Sequence, residues 1–129
     1  MSQDPCTEAL PPSAIRGLEL FNQGEYFEAH EALEHAWREE RGSIRLLYQG
    51  ILQVAVTYLH IRNGNFLGAI RLAKRTRLKL ADWPETCRGV DLARLRADFE
   101  MIMQQVVRLG PGHLDQFDPA LFPPVHYVP

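Results

Sequence analysis

The residues best equipped for chemistry lie in the run Tyr26-Phe27-Glu28-Ala29-His30-Glu31-Ala32-Leu33-Glu34-His35-Ala36-Trp37. Wound as a helix, this run puts Tyr26, Ala29, Leu33, Ala36 and Trp37 on one face, while Glu28, Glu31, His35, Arg38 and Glu39 point away. His30 and Glu34 fall between the two faces, one turn apart. At that i, i+4 spacing an imidazole and a carboxylate can pair directly. Aromatic neighbours on both flanks lower the local dielectric and strengthen such a pair. Either group could then act as a general base.

A second polar stripe follows in residues 44–61. This stretch is apolar around most of its circumference, yet it carries Gln49, Gln53 and His60 and contains no Lys, Asp or Glu. A solvated face would favour those charged residues. Amides and an imidazole point instead to a partly buried, hydrogen-bonded face. If it meets His30 and Glu34 across a hairpin, the ligand-binding candidates are His30, Glu34, Trp37, Gln49, Gln53, His60 and Tyr26. The competing reading is a structural pair at the edge of the core, with Trp37 a core residue.

The string His30-Glu31-Ala32-Leu33-Glu34-His35 mimics a zincin helix but lacks its spacing, which sets two histidines four residues apart. Here they are five apart, about 140° around the helix, and cannot clamp one ion together. The inverted pattern also fails, because position 31 is Glu. No metal or cofactor is expected. A metal-assisted hydrolase using His30 and Glu34 is the lesser alternative.

The elements that position these groups follow from proline. Eight of nine prolines lie outside residues 13–110, and Pro84 alone falls inside. Proline costs about 3 kcal/mol within a helix, so the middle of the chain is helical and its ends irregular. Ala and Leu (29 residues) outnumber Val, Ile and Thr (17), which also favours helix over strand. Five helices are predicted, starting at Ser13, near Glu25, and at Ser43, Asn65 and Asp91, with Ser13, Ser43, Asn65 and Asp91 as N-caps. Gly24-Glu25-Tyr26-Phe27-Glu28-Ala29 echoes Gly64-Asn65-Phe66-Leu67-Gly68-Ala69 at an offset of 40 residues. Both read as the turns of tetratricopeptide-like helical hairpins, two units being too few for a solenoid. The expected architecture is one all-α domain over 1–129, with a flexible leader at 1–12, a helical body at 13–110 and a proline-rich tail at 111–129. Phe117, Leu121, Phe122, Val125 and Tyr127, mixed with the tail's prolines, should hold it against the body.

Formal net charge is −2, which gives nucleic-acid binding no global electrostatic support. Ile51–Ile61 is too short for a membrane span, which needs about 20 residues. The acidic start of the chain does not resemble a secretory leader. Cys6 and Cys87 lack paired spacing and read as free thiols, which fits a cytoplasmic location. Residues 25–40 carry six glutamates against one arginine, and residues 71–79 carry five cations and no acid. Pairing of these two helices, within a chain or across a homodimer, is their expected use.

The Tyr26–Glu31 opening, Glu34, Trp37, Gln49-Gly50-Ile51-Leu52-Gln53 and Gly64–Ala69 together resemble the family catalogued as domain of unknown function 309. The likeness covers about residues 14–80. It implies a compact all-α fold and a shared polar cluster at His30, Glu34 and Gln53, and it implies no activity. Two functions therefore stand at the level of sequence: a pocket between the second and third helices that binds a small ligand, with or without hydrolysis, and a protein-interaction or structural module in which the cluster fixes packing.

Overall fold

The computed structural model describes residues 4–129. Five α-helices make up the body: α1 (Pro12–Asn22), α2 (Tyr26–Glu39), α3 (Arg45–Arg62), α4 (Phe66–Leu80) and α5 (Leu92–Leu109). The architecture is all-α, as expected. Helices α1 and α2 form one hairpin and α3 and α4 a second, with α3 packed between α2 and α4. The two hairpin turns are built alike. Gly24 and Gly64 take φ +79° and +75°, the left-handed region open to glycine, and each helix that follows begins two residues later.

Each hairpin is also pinned by a glycine where its helices touch. A Cβ on Gly17 would sit 2.6 Å from Leu33 Cγ, and one on Gly50 would sit 2.7 Å from Leu80 Cδ2. Close approach there seals a core that includes Leu18, Leu33, Leu47, Ile51, Tyr58 and Phe99, each at most 1% exposed.

Two helix starts match expectation. Asn65 Oδ1 accepts the Gly68 N–H at 2.9 Å, and Asp91 Oδ1 accepts the Arg94 N–H at 2.9 Å. Two others differ. α1 starts at Pro12, whose fixed φ suits the first helical position, so Ser13 lies inside the helix. α3 starts at Arg45 after a turn in which the Ser43 carbonyl accepts the Leu46 N–H, because Ile44, 2% exposed, is drawn into the core.

Between α4 and α5 lies a hairpin not foreseen in the sequence. Strands β1 (Thr86–Cys87) and β2 (Val90–Asp91) pair antiparallel around Arg88-Gly89, and both turn residues have positive φ. Tyr127 of the tail bridges to Val90 on the other side. The tail thus packs on the body, as its apolar content implied: Phe117 and Val125 are buried and Phe122 is half-buried.

The cysteines require a correction. Cys6 and Cys87 are joined in a disulfide, not free, because the β1–β2 hairpin folds back beneath the chain's start and brings their Cα atoms to 4.3 Å. Described residues of the segment expected as a flexible leader are consequently tied to the body; residues 1–3 lie outside the described part. The charged helices also differ from one expectation. Among the described residues no ion pair joins α2 to α4, since α3 stands between them; Arg77 of α4 pairs with Glu100 of α5.

Candidate functional site

The sequence-predicted residues divide into three places. His30 and Glu34 sit on the flank of α2, each side chain about a third exposed. Their closest approach is 3.6 Å, an ion-pair distance too long for a hydrogen bond. Glu34 Oε1 instead accepts a hydrogen bond from Arg38 Nη2 at 2.7 Å. The carboxylate is therefore shared along one helix surface, at i−4 and i+4.

Tyr26 and His60 serve the scaffold. Tyr26 is 4% exposed and meets Phe21, Tyr58 and Phe122 edge-on, with the Arg62 guanidinium 5.2 Å from its ring centroid. Burial pushes its phenol up to about 12, with Arg62 acting in the opposite direction. His60 Nδ1 lies 3.2 Å from Asn65 Nδ2, which donates to it when that nitrogen is unprotonated. The same Asn65 caps α4, so His60 braces the α3–α4 turn.

Gln49 and Gln53 line a groove, and that groove opens toward α4 rather than toward α2. Its walls are Leu46, Gln49 and Gln53 of α3, Arg75, Leu78 and Lys79 of α4, and Asp82 and Trp83 just beyond α4, around a cavity of ≈ 710 Å³. That volume lies in the range of small-molecule sites. His30, Glu34 and Trp37 do not line it. Two cations against one carboxylate leave the lining net positive.

Trp83 is fixed in this wall by its own hydrogen bond, Nε1 to the Lys79 carbonyl at 2.9 Å. Arg96 Nη1 donates to the Leu80 and Trp83 carbonyls, both at 3.0 Å, closing the C-terminal end of α4. The Gln53 side-chain oxygen is buried without a hydrogen-bond partner, as is the Trp37 indole nitrogen. Leaving such a group unfilled costs about 1–3 kcal/mol.

Sequence reasoning did not place Arg75, Lys79, Asp82 and Trp83 beside Gln49 and Gln53 in one groove. The basic run in 71–79 was the available signal, but its expected partner was a glutamate-rich helix, not a groove. Among the described residues no group of three His, Cys, Asp or Glu side chains gathers as a metal set, and no helix is long and apolar enough to cross a membrane.

The segment that builds both hairpin turns, the His30–Glu34 flank and the two glutamines is also the segment that matches known proteins. Residues 14–72 match the DUF309 family, a domain of unknown function. The match ends within α4, somewhat before the residue 80 expected, and leaves Arg75 through Trp83 of the groove wall outside it. The DUF309-matching chain is 29% identical over 84 residues to an uncharacterized protein of Aquifex aeolicus (strain VF5), covering 64% of this chain and 25% of that protein. It is 35% identical over 92 residues to the uncharacterized protein YpuF of Bacillus subtilis (strain 168), covering 69% of this chain and 53% of that one. The chain therefore spans a quarter and about half of the relatives it matches.

Proposed function

We propose that this protein is a small helical binding module whose α3–α4 groove takes a small organic anion. The observation that carries the reading is Gln53, which lines the groove with a buried, unfilled acceptor oxygen. Arg75 and Lys79 supply positive charge, while Leu46, Leu78 and Trp83 supply apolar and aromatic wall. The matching ligand carries a carboxylate or phosphate for the cations, an O–H or N–H for Gln53, and an apolar portion. The reading is one of binding rather than catalysis, because His30 and Glu34, the pair read from the sequence as possible general bases, lie off the groove.

A cytoplasmic setting belongs to the same proposal. Its support in the sequence, two free thiols, is replaced by the Cys6–Cys87 bond, so it requires a bond that the compartment can open and close. The test of the groove is a thermal-shift screen with organic acids and phosphate esters on the wild type, Gln53→Met, Arg75→Ala and His30→Ala. Stabilisation that survives in His30→Ala and disappears in the first two variants supports the groove. Equal responses in all four proteins overturn it.

A docking module for a protein partner is the second reading, favoured by the matched segment's place within longer relatives. It is also favoured by Phe27 and Leu67, which hold equivalent positions in the two hairpins and are 55% and 59% exposed. A homodimer, in which the acidic face of α2 meets the basic face of α4 from a second copy, is one form of it. Sedimentation at low and high salt tests that form: a dimer that dissociates as salt screens the charges supports it.

A further inference from the structure

Among the described residues Arg88 is the one charged residue that is buried, 5% exposed, and it occupies the left-handed region at φ 49° without being glycine. Such a backbone costs roughly 1–2 kcal/mol, so its surroundings must hold it in place. They do so through the guanidinium. Nη1 donates to Glu40 Oε1 at 2.7 Å and to Tyr48 Oη at 2.8 Å, both from the helical body. Nε donates to the Pro5 carbonyl and Nη2 to Glu8 Oε2, each at 2.7 Å. The Nε–Nη2 edge, the side of arginine suited to two-point recognition of a carboxylate, is thus filled by the chain's own residues 5–8.

That segment has little else to hold it. Its short 3-10 helix, Pro5–Thr7, buries no residue. Apart from the guanidinium, it is held by the Cys6–Cys87 bond and by the Arg88 N–H, which donates to the Cys6 carbonyl at 2.7 Å. Leu10, 6% exposed, anchors the chain just downstream.

We infer that the disulfide is a latch over a carboxylate-binding site at Arg88. A dithiol reductant attacks the half-buried Cys6 sulfur rather than Cys87, which is 0% exposed. The S–S bond breaks, and Cys87 leaves as a thiolate and takes a proton. The second thiol of the reductant then displaces Cys6, which is also protonated, and the reductant departs as its own disulfide. Two electrons and two protons have passed to the protein. Residues 5–8 then swing out from Leu10, taking Glu8 with them. Arg88 and Glu40 remain as a neutral pair, and an incoming carboxylate restores the charge that Glu8 carried.

N-acetylglutamate is the probe, because it brings both a carboxylate like that of Glu8 and an amide carbonyl like that of Pro5. The full chain is compared oxidised, reduced with dithiothreitol, and as Cys6→Ser. Hydrogen exchange reads the segment, and the Arg88 Nε–H resonance reads the site. Reduction is expected to speed exchange of the Arg88 N–H, which donates to Cys6 while the latch is closed, by roughly tenfold or more. N-acetylglutamate is expected to shift the Nε–H saturably in the two open forms and not in the oxidised one. Glu8→Gln, which leaves Arg88 in place, should bind the probe when reduced at least as tightly as the wild type. The proposal falls if exchange is unchanged on reduction, if the probe acts alike on oxidised and reduced protein, or if neither open form binds it. It also falls if circular dichroism shows that the reduced wild type unfolds globally, or if the reduced chain dimerises by seating a neighbour's residues 5–8 on Arg88.

Discussion

Phe122 stacks on Tyr58, with ring centroids 4.7 Å apart and planes inclined by 28°. The contact joins the proline-rich tail to the C-terminal half of α3. Phe122 also meets Tyr26 edge-on at 5.5 Å and Phe117 at 4.9 Å, so one tail residue closes the aromatic cluster on which both hairpins pack. The tail is thereby part of the core. Phe122→Ala should cost about 2–3 kcal/mol, below the value for a fully buried phenylalanine because Phe122 keeps some exposure. Chemical denaturation measures this, and a change within about 0.5 kcal/mol would show that the tail contributes no packing.

Asn22 makes the polar half of the same attachment. Its Nδ2 donates to the Val125 carbonyl at 3.0 Å, and its Oδ1 accepts the Val125 N–H at 2.7 Å. Val125 is 2% exposed, so Asn22→Ala strands two buried backbone groups at once. A loss of about 2–4 kcal/mol is expected, together with faster exchange of the Val125 amide. Asn22→Asp keeps the acceptor and loses the donor, and should fall between the wild type and Asn22→Ala. Unchanged exchange at Val125 in both variants would remove Asn22 from any role in holding the tail.

Helix periodicity and proline placement made the five helices readable, because each pattern is local and repeats over several turns. Asn65 and Asp91 were readable as caps for the same reason. The β1–β2 hairpin was not, since each strand has two residues and too short a run to show alternation. The disulfide depends on that hairpin and joins positions 81 apart, so no local spacing could reveal it. The polar seam was half legible. His30 and Glu34 were correctly placed one turn apart, and Gln49 and Gln53 share a groove, but the groove faces α4. Which neighbour covers a stripe of a nearly all-apolar helix depends on how the hairpins stack, and Gly50 rather than any polar residue sets that stacking.

Three buried tyrosines make stability fall at alkaline pH. Burial raises the phenols of Tyr26, Tyr48 and Tyr58 above 10.0, with Arg88 partly offsetting the rise at Tyr48. A group with a raised folded pKa favours the folded state fully below its unfolded value and loses that contribution as pH climbs through the folded one. For Tyr26 the window runs from 10.0 to about 12. Circular dichroism with phenolate absorbance should show cooperative unfolding accompanying ionisation in this range. Tyr58 Oη is buried without a partner, so Tyr58→Phe should be neutral or up to about 1 kcal/mol stabilising and should delay the alkaline transition. A clear loss of stability in Tyr58→Phe would mean that the hydroxyl has a partner in solution.

Gly50 couples the packing of the second hairpin to its groove. In an exposed helix Gly→Ala would gain up to about 1 kcal/mol from propensity alone. Here the new methyl meets Leu80 Cδ2 at 2.7 Å and lies 3.4 Å from Lys79 Cβ. Leu80 is 2% exposed and has little room to turn away. The clash therefore wins, and Gly50→Ala should cost about 1–3 kcal/mol. The helices must also part beside Gln49 and Lys79 of the groove wall, so any anion held there should bind more weakly. Shortening the obstructing side chain separates the two effects. Gly50→Ala combined with Leu80→Val should recover part of the stability and the binding, giving a favourable coupling in the double-mutant cycle. Strictly additive losses would mean that the methyl added at position 50 never meets Leu80, and that the α3–α4 spacing is set elsewhere.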